Sequence, residues 1–226
     1  MEILFDQEET VVIDNGTGFV KAGFSGQDLP RLIIPTYVGE HVEEIDPAQM
    51  QGATQQDLLE EKKTTYTFGN AALNAKDHTL YKPIERSLIT DWDNMEQIWI
   101  HIFDELNLDP KNVNVLMTDS PFNPKERRCK MAEIMFEHFK VKSLQVMNTA
   151  ALSMYSTGRV SGLIVECGEG ISYTVPVFEG YRLPHAQIKM ELAGHDITNS
   201  LINSLESSGI SKSARDYPHV VRGLKE

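Results

Sequence analysis

Two stretches, Asp14-Asn15-Gly16-Thr17-Gly18 and Glu166-Cys167-Gly168-Glu169-Gly170, each place a carboxylate just ahead of a Gly-x-Gly turn. Each ends one apolar strand and opens another. Glycine lets the backbone turn sharply and approach a ligand with no Cβ in the way, so that consecutive N–H groups can point at one anion. Thr17 adds a hydroxyl donor, and Lys21, alternating onto the same face as Phe19 of the outgoing strand, brings a cation toward the same spot. One Gly-x-Gly alone reads as an ordinary tight turn. Two copies with matched strand flanks favour a two-sided phosphate clamp, with Gly168 and Gly170 forming the second cradle.

The elements that must position these hairpins follow from periodicity. Thr10 to Asp14, Phe19 to Phe24 and Arg31 to Val38 read as a strand meander. From Glu40 to Thr65 the pattern dissolves into a polar, acidic surface excursion. Trp92, Met95, Ile98, Trp99, Ile102, Phe103 and Leu106 recur at helical steps, with Thr90 or Asp91 as cap, and the better reading of this stripe is a core face. Val113 to Thr118 is a buried strand. Asn123-Pro124 opens a helix with a cap residue and a proline at the first helical position, and Met131, Ile134, Met135 and Phe139 supply its inner face. Leu144 to Met147 is a strand, Ala150 to Thr157 a short helix stopped by Gly158, and Gly162 to Glu166 leads into the second hairpin. Tyr173 to Phe178 and Gln187 to Leu192 continue a second meander, and Asp196 caps a helix carrying Ile197, Leu201 and Leu205 that ends at Gly209. The plan is a duplicated α/β one.

Composition narrows the function. Thirty-three acidic against 21 basic residues give a formal charge of −12, which repels a phosphate backbone and argues against direct nucleic-acid binding. The two cysteines, Cys129 and Cys167, lack metal spacing and form no framework, as expected of a reducing compartment. The acidic start of the chain is unlike a leader peptide, and no apolar run approaches the ~20 residues of a membrane span. Val220, Val221 and Leu224 begin an amphipathic helix, yet the chain stops at Glu226.

Longer blocks carry a family resemblance. Val12-Ile13-Asp14-Asn15-Gly16-Thr17-Gly18-Phe19-Val20-Lys21-Ala22-Gly23-Phe24-Ser25-Gly26 resembles the first phosphate loop of actin and its relatives. So do the blocks Asp91–Trp99, Leu116–Lys125, Ala151–Arg159 and Val175–Ala186, in family order. The chain is identified by this resemblance as a divergent actin-related protein, C-terminally truncated. The resemblance implies an α/β actin-like fold of duplicated mixed-sheet lobes: a first lobe over 1–157, with an acidic insertion at 40–65, and an incomplete second lobe over 158–226. It implies ATP or ADP with Mg2+ in the cleft between lobes, or an empty cleft. Gly16, Thr17, Gly18, Phe19 and Lys21 match the family's nucleotide-binding loop, and Asp14 its metal-side aspartate. Gly168, Glu169 and Gly170 match the second loop, and Lys225 and Glu226 match residues near the adenine.

Four positions depart from the pattern. Glu166 and Glu169 stand where actins have aspartates, Thr149 where they have a water-orienting glutamine, and Tyr173 where they have a histidine. Glu166 thus becomes the expected metal residue, acting through water. Magnesium requires near-ideal octahedral geometry, and the extra methylene of Glu166 moves its carboxylate roughly an ångström, a displacement that elsewhere lowers rates on the order of 10²-fold. The expectation is therefore no catalytic residue and a pseudo-ATPase: a structural or adaptor subunit of a cytoskeletal assembly, with an axonemal one as a variant, among other protein subunits. Self-polymerisation is not expected, because the acidic excursion would not fit an ordinary filament groove. The location implied is cytoplasm and cytoskeleton, with the cilium as a variant. Three readings remain open beside it: a polymerising actin-like ATPase, a nuclear actin-related subunit of a chromatin remodeller, and a sugar-kinase relative, for which no catalytic base can be assigned.

Overall fold

A computed structural model describes residues 10–44, 62–210 and 218–225. Strand β1 (Thr10–Asn15) turns through the first glycine hairpin into antiparallel β2 (Phe19–Phe24), and Val11, Ile13, Val20 and Ala22 alternate inward and are buried. The expected strand from Arg31 to Val38 is two elements. β3 (Leu32–Pro35) pairs with β2, and β4 (Val38–Glu44) leaves in a different sheet. Thr36, at the break, is fully buried and accounts for it: its N–H donates to Gly18 O at 3.2 Å and its hydroxyl to Gly16 O at 2.7 Å. The chain is thus pinned to the first hairpin before it departs.

The edges of the expected excursion at 40–65 are ordered. β4 pairs antiparallel with β5 (Lys62–Phe68), from Val38 opposite Phe68 to Glu44 opposite Lys62. The run Thr64-Thr65-Tyr66-Thr67-Phe68 is β-branched and aromatic, and this outweighs the acidic composition. Residues 45–61, the rest of that excursion, lie outside the described residues. Helix α1 (Gly69–Asn74) follows, then β6 (Thr79–Tyr81), which pairs with β4, and a small hairpin of β7 (Ile84–Glu85) and β8 (Leu88–Ile89). Its two turn residues, Arg86 and Ser87, have φ of 47° and 63°.

Helix α2 (Trp92–Glu105) starts at Asp91, whose carboxylate accepts the Asn94 N–H at 3.1 Å, and its predicted stripe is buried from Met95 to Phe103. β9 (Asn114–Asp119), α3 (Lys125–Glu137) and β10 (Ser143–Asn148) complete a five-stranded sheet of order β10-β9-β1-β2-β3, in which β9 runs parallel to both β1 and β10. The N-cap of α3 is Pro124, with no side-chain cap, and not Asn123. The Asn123 amide instead donates to the buried Asp119 carboxylate at 2.6 Å, which Arg128 also holds at 2.8 Å.

Helix α4 (Thr149–Ser156) begins at Asn148 and ends before Gly158, which has φ 69°. Although the expected first lobe runs to residue 157, α4 packs with the second sheet: Ala150 and Met154 share a core with Ile171, Tyr173, Val175 and Val177. That sheet comprises β11 (Gly162–Cys167), β12 (Ser172–Phe178), β13 (Tyr181–Arg182) and β14 (Ile188–Met190), with β11 at an edge. One face of it is open, and Leu163, Val165, Ile188 and Met190 are all more than half exposed. α5 (Gly194–Ser207) and α6 (Pro218–Lys225) pack through Ile202 and Val221. Ile197, one of the apolar residues expected on α5, is exposed, and the buried residues of the helix are Thr198 and Ile202. Asp196 does not cap α5 from outside. It sits in the first turn and reaches back to the N–H of Ala193, the actual N-cap, at 2.9 Å.

Candidate functional site

The two hairpins face each other across a cleft of about 220 Å³. Asp14, Gly16, Thr17, Gly18, Phe19 and Lys21 line it from the first lobe, and Thr149, Glu166, Gly168, Glu169, Gly170 and Tyr173 from the second. Two predicted residues are not among them. Lys225 turns its ammonium to the N-terminal part of α5, donating to Gly194 O at 3.2 Å and to Thr198 Oγ1 at 3.1 Å, because those acceptors lie directly against α6. Glu226 lies outside the described residues.

The first hairpin is anchored to the large core. Asn15 accepts from the indole N–H of Trp99, fully buried on α2, at 3.1 Å, and its own N–H donates to Thr118 Oγ1 at 3.1 Å. Thr118, at the C-terminal end of β9, donates in turn to Asp14 Oδ1 at 2.7 Å. The other carboxylate oxygen of Asp14 meets Lys21 Nζ at 3.2 Å, as antiparallel pairing places these two residues opposite each other. Lys21 therefore approaches the site paired and not as an isolated cation.

In the second hairpin the equivalent cross-strand partner of Glu166 is Tyr173. The Tyr173 hydroxyl donates to Glu166 Oε2 and lies 2.8 Å from Thr149 Oγ1, so three of the four divergent positions form one hydrogen-bonded group. Burial, then the bond to Glu166, pushes the Tyr173 phenol well above its ordinary value, and it stays neutral. The fourth, Glu169, uses its main chain to receive α5: its carbonyl accepts the His195 N–H at 2.9 Å, and Gly168 O accepts the Gly194 N–H at 2.9 Å.

The glycines serve the approach of the hairpins to one another as well as to any ligand. A Cβ on Gly18 would stand 3.0 Å from Glu169 Cβ, and one on Gly170 would stand 2.5 Å from Thr17 Oγ1. The N–H groups of Gly16 and Gly168 already close their own turns, onto Asp14 O and Ile171 O. The donor set nevertheless suits a phosphate on the first-hairpin side, where Thr17 and Lys21 line the cleft. No group of three or more His, Cys, Asp or Glu able to hold a metal occurs among the described residues. Asp14 and Glu166 suit only a Mg2+ that keeps most of its water.

Several cleft residues carry no sequence motif. Arg222 of α6 lines the site and stacks 4.4 Å over the Phe19 ring. It also borders a neighbouring pocket of about 270 Å³ with Tyr37 and Lys82. Burial raises the Tyr37 pKa and lowers that of Lys82, whose ammonium sits 5.7 Å from the Tyr37 ring. Ser87 donates its N–H to Thr17 Oγ1 at 2.9 Å. Arg86 crosses to the second lobe and forks onto Asp196 at 2.6 Å on each oxygen. Thr118 could have been found as a polar residue ending an otherwise apolar buried strand, but Arg86 and Arg222 offer no such signal. No helix among the described residues is long and apolar enough to cross a membrane. The family model described as Actin matches residues 5–217, a span that contains both hairpins.

Proposed function

The chain belongs to the actin family, and we propose that it acts as a non-catalytic structural or adaptor subunit of a cytoskeletal assembly. The observation that carries this reading is the Thr149–Tyr173–Glu166 group. Hydrolysis of a nucleotide needs a water held in line with the phosphorus and a group to orient it, since phosphoryl transfer depends almost wholly on positioning and charge stabilisation. Here the groups on the second-lobe wall satisfy one another. Thr149 is short and bonded to the phenol, Tyr173 is a neutral donor, and Glu166 already accepts from it. A phenol with its pKa raised by burial is no base at neutral pH.

The first hairpin keeps Asp14, Thr17 and Lys21 beside the cleft, which supports retention of nucleotide phosphates without turnover. When bound, Mg2+ would neutralise phosphate charge, with Asp14 and Glu166 holding its water shell. The open apolar face of the second sheet supports a role in assembly. Single-turnover measurement with Mg-ATP is expected to give hydrolysis no faster than in buffer, and turnover at an ordinary actin rate would overturn the reading. Restoring the family residues in Thr149→Gln/Glu166→Asp/Tyr173→His is expected to raise the rate. Copurification with cytoskeletal subunits is expected, and recovery with an ATP-dependent chromatin remodeller would favour the nuclear alternative.

A further inference from the structure

The turn Arg86–Ser87 touches both walls of the cleft. Ser87 N–H donates to Thr17 Oγ1 in the first hairpin at 2.9 Å. Its neighbour Arg86 donates through Nη1 to Gly170 O in the second hairpin at 3.0 Å and to Glu191 O at 3.3 Å. The same guanidinium closes a two-toothed bond on Asp196, Nη1 to Oδ2 and Nη2 to Oδ1, both at 2.6 Å. Asp196 is itself fixed by the Ala193 N–H at 2.9 Å in the first turn of α5. Two consecutive residues therefore hold hairpin one, hairpin two and the helix behind hairpin two at set distances. Their backbones are both left-handed, a conformation that neither arginine nor serine adopts readily unless surrounding contacts impose it.

We propose that Arg86 is a clasp that keeps the two lobes closed in the absence of nucleotide. In a hinged two-lobe protein whose walls are bridged only by the ligand, the ligand's departure opens the cleft. In this chain the bridge is protein. Its planar fork matches the Asp196 carboxylate, a geometry that lysine cannot reproduce. Among the described residues Arg182 Nη1 also crosses, to Pro121 O at 2.6 Å, a single neutral acceptor without the paired charge of the Arg86 fork, and Arg222 stacks over Phe19. The inference goes beyond the reading of the site as non-hydrolytic and does not depend on it, because closure concerns the ligand-free protein.

The two cysteines provide the test. Cys129 on α3 and Cys167 on β11 lie one in each lobe, and both are exposed and free. Spin labels on them, read by pulsed dipolar spectroscopy without nucleotide, are expected to give one narrow distance that Mg-ADP leaves unchanged. Arg86→Ala is expected to lengthen the mean distance by several ångströms and broaden the distribution. Arg86→Lys, which keeps the charge and loses the fork, is expected to fall between. Circular dichroism checks folding, and if Arg86→Ala does not fold, Arg86→Lys and Asp196→Asn carry the test. Wild-type distributions in the folded variants would overturn the proposal, as would a broad distribution in the unliganded wild type that narrows on adding Mg-ADP.

Discussion

The two hairpins share a layout and differ in what stands opposite the leading carboxylate. In the first, Asp14 faces Lys21 and the pair is ionic and solvent-reached, with 49% of the lysine side chain and 34% of the aspartate exposed. In the second, Glu166 faces the buried phenol of Tyr173, and the contact is a hydrogen bond from a neutral donor. One wall of the cleft keeps mobile charge that a ligand can rearrange. The other has turned its polar groups on each other. The anchors differ as well: the first hairpin is tied to the large core through Trp99 and Thr118, the second to a smaller core shared with α4.

The sharpest way to break the comparison is at the anchor. Trp99→Ala removes a fully buried side chain and the donor to Asn15, and is expected to destabilise the first lobe by about 3–5 kcal/mol in urea unfolding. Tyr173→Phe leaves the Thr149 hydroxyl and the Glu166 carboxylate without their shared partner, for an expected loss of roughly 1–3 kcal/mol. Because the Tyr173 pKa is raised in the fold, its contribution is full below the ordinary phenol value of 10.0 and is lost as pH climbs through the folded value. Alkaline unfolding of wild type and variant should therefore converge.

Acid tests the clasp behind the second hairpin. The bond from Arg86 holds the Asp196 carboxyl down at about 2, from an ordinary 3.8, with Ala193 N–H and the nearby His195 adding to the effect against burial. A lowered carboxyl stabilises the fold above its unfolded value and ceases to do so as pH falls through the folded one. Stability should thus drop between pH 3.8 and about 2 in wild type and stay flatter in Asp196→Asn. Solvent reaches the Arg86 side, so the difference is expected near 1 kcal/mol, read as the change in urea midpoint with pH. Smallest is Lys21→Met, expected to change stability by no more than about 1 kcal/mol and to do so less at high salt, as an exposed pair should.

The legible parts of the molecule were those written in short-range pattern. The hairpins announced themselves through glycine between alternating strands, and α2 through its apolar period, because both signals come from neighbours in sequence. Asp196 resembled a cap since acidic residues commonly open helices, but the true N-cap, Ala193, carries no polar side chain to announce it. The Arg86–Ser87 turn was invisible for a related reason: both residues have positive φ, where hairpins usually declare themselves by Asn, Asp or Gly. Lys225 was placed at the cleft by family resemblance alone, while its acceptors on α5 are set by how two helices happen to pack. The split of the third strand depended on Thr36 reaching back to Gly16 and Gly18, a contact between residues far enough apart in sequence to leave no local trace.

Trp99 gives the first hairpin an optical label of its own. It is one of only two tryptophans, its indole is shielded from water, and its N–H ends on Asn15 at the base of the glycine turn. Any event that shifts that turn changes the polarity felt by this chromophore, so with Trp92 replaced by phenylalanine the emission wavelength and lifetime become a gauge of occupancy on one wall. The opposite wall contains no tryptophan, and the signal is silent about it.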